Sequence, residues 1–179
     1  MAKLIVKTGQ EVEARDHALF FDGIFRGNGV MHRGNELELT TQTANLIKIK
    51  DGIVVVQGWP YIIYPGEVID VSIDNGTQNM KRNDIVVAEF TNVDGVQTMT
   101  IKAVKGTPSE TTAADPVLTQ QDTLDAGTTY QFPLYRIRLN GINIEGTDDL
   151  RTFVNNLNDA PQVTAVTDEY VEMEINFDE

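Results

Sequence analysis

The stretch Ile85-Val86-Val87-Ala88-Glu89-Phe90-Thr91-Asn92-Val93-Asp94-Gly95-Val96-Gln97-Thr98-Met99-Thr100-Ile101-Lys102-Ala103-Val104 decides the fold. Two runs rich in β-branched residues, Ile85 to Phe90 and Val96 to Val104, flank Asn92-Val93-Asp94-Gly95, which ends in an Asx-Gly pair. Aspartate tolerates the left-handed backbone region and glycine prefers it, so this pair suits the tight turn between antiparallel strands. The segment reads as a β-hairpin.

Outward from it the same grammar repeats. Six Asx-Gly pairs punctuate the chain: Asp22-Gly23, Asn28-Gly29, Asp51-Gly52, Asn75-Gly76, Asp94-Gly95 and Asn140-Gly141. Leu46 to Lys50 leads into Asp51-Gly52 and Ile53 to Val56 leaves it, which predicts a second hairpin with a two-residue turn. Glu36 to Thr41 alternates, with Leu37 and Leu39 pointing one way. Tyr61-Ile62-Ile63-Tyr64 ends at Pro65-Gly66, a turn signal. Val68 to Ile73 alternates, with Val71 and Ile73 on one face and Asp70 and Ser72 on the other. Tyr135 to Leu139 alternates and ends at Asn140-Gly141. So many short segments of period two predict a mainly β protein, an antiparallel β-sandwich or barrel.

One or two short helices complete the expectation. Thr147 suits an N-cap, Asp148 and Asp149 suit a first helical turn, and Leu150, Val154 and Leu157 make an apolar stripe, so Asp148–Asn158 is expected to be helical. A weaker helical pattern runs from Leu118 to Asp125, closed by Gly127. Lys105 to Asp115 is rich in small and turn-forming residues and reads as a long surface loop. From Asp148 to Glu179 there are nine carboxylates against one cation, Arg151. The expected organisation is a β domain over residues 1–145 and an acidic helix-plus-strand appendage over 146–179. That appendage docks on a neighbour or lies as a polar tail on its own domain; the sequence leaves both readings open.

Composition excludes several functions. The 179 residues carry a net charge of −13 and 41% apolar side chains. Such a field repels a phosphate backbone and an anionic bilayer, so no nucleic-acid or membrane partner is expected. The chain has no cysteine, which removes disulfides, thiolate catalysis and thiolate metal sites. No stretch approaches the roughly 20 apolar residues of a transmembrane helix. The run Leu4-Ile5-Val6 is too short for a signal peptide, so synthesis in the cytoplasm without such a peptide is expected.

Catalytic and ligand motifs are sparse. Ser72 lies in an alternating strand and Ser109 in a loop, neither in a nucleophile-elbow setting. His17 and His32 are not spaced as ligands on one helix, and the histidine of Asp16-His17 reads more simply as a hydrogen-bonded loop or sheet-edge residue than as half of a catalytic pair. Asp70, Asp74 and Asp84 near a turn could gather around calcium, but without the spacing of a calcium loop a solvated acidic surface is the plainer reading. Gly27-Asn28-Gly29 lacks the glycines and lysine of a phosphate loop. With 27 carboxylates, some pair always lies within reach of another, so glycoside hydrolysis gains nothing from their number. Trp59, Tyr61 and Tyr64 form the densest aromatic group. They could stack on a sugar, or fill the core as large aromatics usually do. No catalytic residue, cofactor or metal is assigned.

Five blocks, in order, carry a resemblance. They are Asp16-His17-Ala18-Leu19-Phe20-Phe21-Asp22-Gly23-Ile24-Phe25; Asp51-Gly52-Ile53-Val54-Val55-Val56-Gln57-Gly58; Ile73-Asp74-Asn75-Gly76-Thr77-Gln78-Asn79-Met80-Lys81-Arg82-Asn83-Asp84-Ile85; Val104-Lys105-Gly106-Thr107 with Asp115-Pro116; and Phe132-Pro133-Leu134-Tyr135-Arg136-Ile137. The stretch from Asp16 to Ile144 resembles structural proteins of the tail, baseplate or fibre region of tailed phages and prophages of Gram-positive bacteria. The resemblance implies a non-enzymatic virion component, located in the virion, whose partners are other virion proteins. It does not reach the acidic C-terminal segment. Self-assembly as a homo-oligomer, with a trimer as one form it could take, and a contribution to host attachment through a cell-surface glycan are further expectations. Asn75, Gly76, Arg82, Asn83 and Asp84 are expected to form a structural motif, with Arg82 or Asn83 bonding the Asn75–Gln78 loop. A carbohydrate-binding module using Trp59, Tyr61 and Tyr64 is the alternative.

Overall fold

A computed structural model describes residues 9, 11–43 and 45–154, together with the backbone of 162–166 and 171–174. In chain order these form α1 (Ala14–Phe25), β1 (Gly29–Met31), β2 (Leu39–Thr43), β3 (Leu46–Val56), β4 (Trp59–Ser72), β5 (Lys81–Val93), β6 (Val96–Val104), β7 (Thr129–Asn140), β8 (Asn143–Asp149), β9 (Gln162–Val166) and β10 (Val171–Glu174). The long strand β3 pairs with β4 along one side. Its other side is shared by β2, at Leu39↔Ile49, and β1, at Gly29↔Val55. The second sheet has the order β6-β5-β7-β8. All these pairings are antiparallel, and β9 pairs with β10 in the same sense.

The two larger sheets face each other across one core. Ile47, Ile49, Val54, Val56, Ile63 and Val71 come from the first sheet, and Val86, Ala88, Phe132, Leu134, Ile137 and Leu139 from the second. Inward residues recur at every second position, the period of a strand. Burying each such side chain stabilises by about 1.5–3 kcal/mol relative to exposure. This is a sandwich, not a closed barrel. Residues 150–154 close one seam of it. Leu150 donates its amide to the Leu134 carbonyl at 3.0 Å, and the Val154 amide reaches Val30 of β1 at 3.0 Å. No helix among the described residues is long and apolar enough to cross a membrane.

The Asx-Gly pairs divide. Asp94-Gly95 joins β5 to β6 with φ of 52° and 81°, the left-handed pair of a two-residue hairpin turn. Asn140-Gly141 turns β7 into β8. The remaining four do not join paired strands. Asp22-Gly23 lies inside α1, Asn28-Gly29 enters β1, and Asn75-Gly76 lies in the loop from β4 to β5. Asp51-Gly52 does not turn at all: β3 runs through it with a bulge. A buried Asp51 carboxylate takes the Asn35 amide there, and the 34–37 loop lies against Gly52. The turn between β3 and β4 is Gln57-Gly58, with φ of 47° and 74°. Likewise Pro65-Gly66 does not end a strand; β4 continues through it to Ser72.

The helical expectations change most. Asp148 and Asp149 end β8, and residues 150–154 are extended, so no helix occupies the described part of Asp148–Asn158; residues 155–158 lie outside the description. The boundary between 145 and 146 falls inside β8. Thr147, Asp148, Asp149, Thr152, Phe153 and Val154 are weak helix formers, and strand pairing with β7 outweighs the apolar stripe. Leu118–Asp125 holds a bridge at Gln120 and a turn, not a helix. Among the described residues one helix forms, α1, and it overlaps the first resemblance block. Glu13 and Asp16 make a reciprocal capping box at its start, and Arg26 ends it in the left-handed region.

Candidate functional site

Arg82 and Asp84 lie two residues apart on β5, on one face of the strand. Both side chains are buried, at 2% and 1% exposure. Arg82 donates from Nε and Nη2 to the two Asp84 oxygens, each at 2.8 Å, a bidentate pairing. Its guanidinium also donates to the Asn75 carbonyl at 3.1 Å and the Asp74 carbonyl at 2.6 Å. Asp84 takes a further bond from the Gly106 amide at 2.9 Å. One ion pair thus ties the loop after β4 and the loop after β6 to the start of β5.

Two glycines make this closure sterically feasible. A Cβ on Gly76 would stand 1.8 Å from the Gly141 carbonyl oxygen, and one on Gly106 would stand 2.0 Å from that of Asn83. The Asn75 side chain accepts the Asn45 amide. At the solvent edge Lys105 meets Asp74 at 2.9 Å and holds its carboxyl below the usual range through that hydrogen bond.

On the opposite face of β5, Asn83 donates to Asp115 at 2.8 Å. Arg136 of β7 grips the same carboxylate and also reaches Asp148 at 3.1 Å, while Arg138 meets Asp148 at 3.3 Å. The long connection between β6 and β7 is thereby pinned across the outside of the second sheet. The hydrogen bond from Arg136 lowers the Asp115 pKa, and Asp115 and Asp148 together raise that of Arg136.

A third cluster sits at the closed seam. Arg151 pairs with Asp149 through two nitrogens, donates to the Glu36 carbonyl at 2.6 Å, and lies 5.1 Å from the Tyr135 ring and 5.4 Å from that of Phe153. Phe153 stacks on His32 at 4.7 Å. The Tyr135 hydroxyl donates to the Leu37 carbonyl at 3.1 Å, and burial pushes its pKa up to about 12. The adjoining depression, about 300 Å³, is lined by Gly34, Asn35, Glu36, Glu38 and Arg151. It is shallow, and its one cation is already committed to Asp149.

The aromatic group does not assemble as a platform. Trp59 is 8% exposed and stacks on Phe90 at 4.7 Å, packed with Ala18 of α1. Trp59, Tyr61 and Ile63 face inward, whereas Tyr64, 62% exposed, faces out with Ile62. The sugar-stacking expectation therefore loses Trp59 to the core and splits Tyr61 from Tyr64. Ser72 ends β4, Ser109 pairs its backbone with Lys81, His17 stands on α1 and His32 at the seam. No two of these make a nucleophile–base contact. Asp70 is paired with Lys48, Asp74 with Lys105 and Asp84 with Arg82, and no cluster of metal-ligating side chains occurs among the described residues.

Sequence reasoning missed the partners of the motif. Asp115 and Arg136 stand within resemblance blocks, but nothing local says that they meet across 21 residues. Arg151 looked like a lone cation in an acidic tail and proves to be the seam's anchor. No family model matches the chain, and no curated protein matches it.

Proposed function

We propose that this chain is a non-enzymatic building block of a phage or prophage virion, working in the tail or baseplate region and contributing to host attachment. One observation carries the reading: the residues behind the resemblance close on one another as packing, not around a cleft. Ala18 of the first block packs with Trp59 beside Gly58 of the second, where a Cβ on Gly58 would stand 1.9 Å from the Ala18 carbonyl oxygen. Asp84 of the third binds Gly106 of the fourth, and Asn83 shares Asp115 with Arg136 of the fifth. Chemistry invested in rigidity, with both guanidinium edges of Arg82 consumed internally, suits a part that transmits load and presents surfaces. Antiparallel edges left open are resources for assembly in such a part.

Immunogold labelling of particles from the producing organism tests the reading. Label at the tail end is expected. Label absent from particles, with the protein free in the lysate, would overturn it. A glycan-binding role, the second reading, now rests on Tyr64, whose exposed ring lies on the outer face of β4 beside Ile62. Tyr64→Ala abolishing retention on cell-wall polysaccharide would favour it.

A further inference from the structure

The open strand edges differ in how they discourage a partner. β4 carries Pro60, Pro65, Gly66 and a register shift opposite β3. β8 carries Gly146, two aspartates and a bulge, and β2 is only five residues long with a bulge. Prolines, bulges, charge and shortness are the usual devices that keep an edge from pairing. β6 has none of them: Val96–Val104 contains no proline or glycine, pairs with β5 without a shift, and bears one charge, Lys102. That charge is neutralised by Glu89 at 2.6 Å. On a chain of net charge −13, this edge is where two copies meet least repulsion.

The hydrogen-bond phase of β6 follows from its turn. Val93 and Val96 close a two-residue hairpin and exchange backbone bonds, so Thr98, Thr100, Lys102 and Val104 also bond to β5. Gln97, Met99, Ile101 and Ala103 then point their amides and carbonyls away from β5. Among the described residues no backbone hydrogen bond reaches them, and β4 is the strand of the first sheet that runs nearest to β6.

We infer that β6 pairs antiparallel with β6 of a second copy about a two-fold axis at Thr100, joining two second sheets into one. This deepens the assembly reading above and rests on it. In that register Gln97 faces Ala103 of the copy and Met99 faces Ile101, so every outward amide and carbonyl is satisfied. On the exposed face Val96, 64% exposed, meets Val104, Thr98 meets Lys102, and Thr100 meets Thr100. No like charges oppose, and threonine pairs across strands are favourable.

The absence of cysteine makes the test direct. Thr100 occupies a non-hydrogen-bonded pair across the axis, with Cα atoms about 4.5 Å apart, inside the range a disulfide spans. Thr100→Cys under mild oxidation should yield a covalent dimer about tenfold or more faster than Gln97→Cys, whose copies are displaced from each other in this register. Equal rates, or no dimer from Thr100→Cys, would overturn the inference. As a second arm, Gln97→Pro removes one outward donor without touching the β5 ladder. With its circular dichroism unchanged, it should shift the light-scattering mass toward monomer; an unchanged mass counts against the edge. Cross-linking without any protein in particles would sink the virion reading and leave the β6 pairing intact. Protein in particles with no Thr100→Cys dimer would do the reverse.

Discussion

Replacing Arg82 with alanine removes the cation from a pair that is almost wholly buried. The loss has two parts. Four hydrogen bonds disappear, two to Asp84 and two to the Asp74 and Asn75 carbonyls. Asp84 then remains as a buried carboxylate with only the Gly106 amide to stabilise it. Truncating one partner of a buried ion pair costs about 3–5 kcal/mol, mostly from the stranded charge. For a chain of this size each kcal/mol moves the melting temperature by about 2–4 °C, so Arg82→Ala should melt roughly 6–20 °C lower. The stranded charge has a signature of its own. Adding Asp84→Leu to Arg82→Met removes both charges, and that double variant should be more stable than Arg82→Ala. Thermal melts by circular dichroism and urea titrations measure both. A loss below about 1 kcal/mol for Arg82→Ala, or a double variant worse than the sum of its single variants, would refute the argument.

Other outcomes follow from the same geometry. Gly76→Ala and Gly106→Ala should each destabilise by about 2–4 kcal/mol in urea titrations, because backbone carbonyls occupy the space a Cβ needs. Trp59, the only tryptophan, should emit at short wavelength and resist quenching, and glycans should leave its spectrum unchanged. Ultraviolet titration should show Tyr135 ionising near 12, and a Tyr135→Phe variant should lose that step. The folded state holds that proton more tightly than the unfolded chain, so stability is lost as pH rises from about 10 toward 12. Asp115 and Asp149 are depressed by Arg136 and Arg151. Their contribution is present above the ordinary carboxylate pKa and lost as pH falls through the lowered values, and Arg136→Gln should flatten that acid limb in melts between neutral pH and about 3.

The β character was legible because period two and turn chemistry are local. Asp94-Gly95 and Asn140-Gly141 read correctly because the strands on each side of them pair directly with each other. Asp51-Gly52 misled because the same dipeptide also serves a bulge, where glycine admits the approach of Leu37 and Glu36. Gln57-Gly58 carries a weaker turn signal because glutamine is an uncommon left-handed residue. The helix expected at Asp148 failed to a tertiary effect: Arg136, Arg138 and Arg151 recruit Asp148 and Asp149 in extended chain. At the site, the Arg82–Asn83–Asp84 triplet stood out as a unit, and its contact with the Asn75 loop needed only a short reach. The clamp of Asp115 by Arg136 and the Arg151–Tyr135 stack depend on long-range closure, which no window of sequence encodes.

The central claim is that this chain is built to be incorporated rather than to react. The most direct measurement is its copy number in gradient-purified particles, counted with isotope-labelled peptides against the major capsid protein. The account predicts a fixed, small integer number of copies per particle that survives high-salt washing. A variable trace amount that washes away, or none, would contradict it.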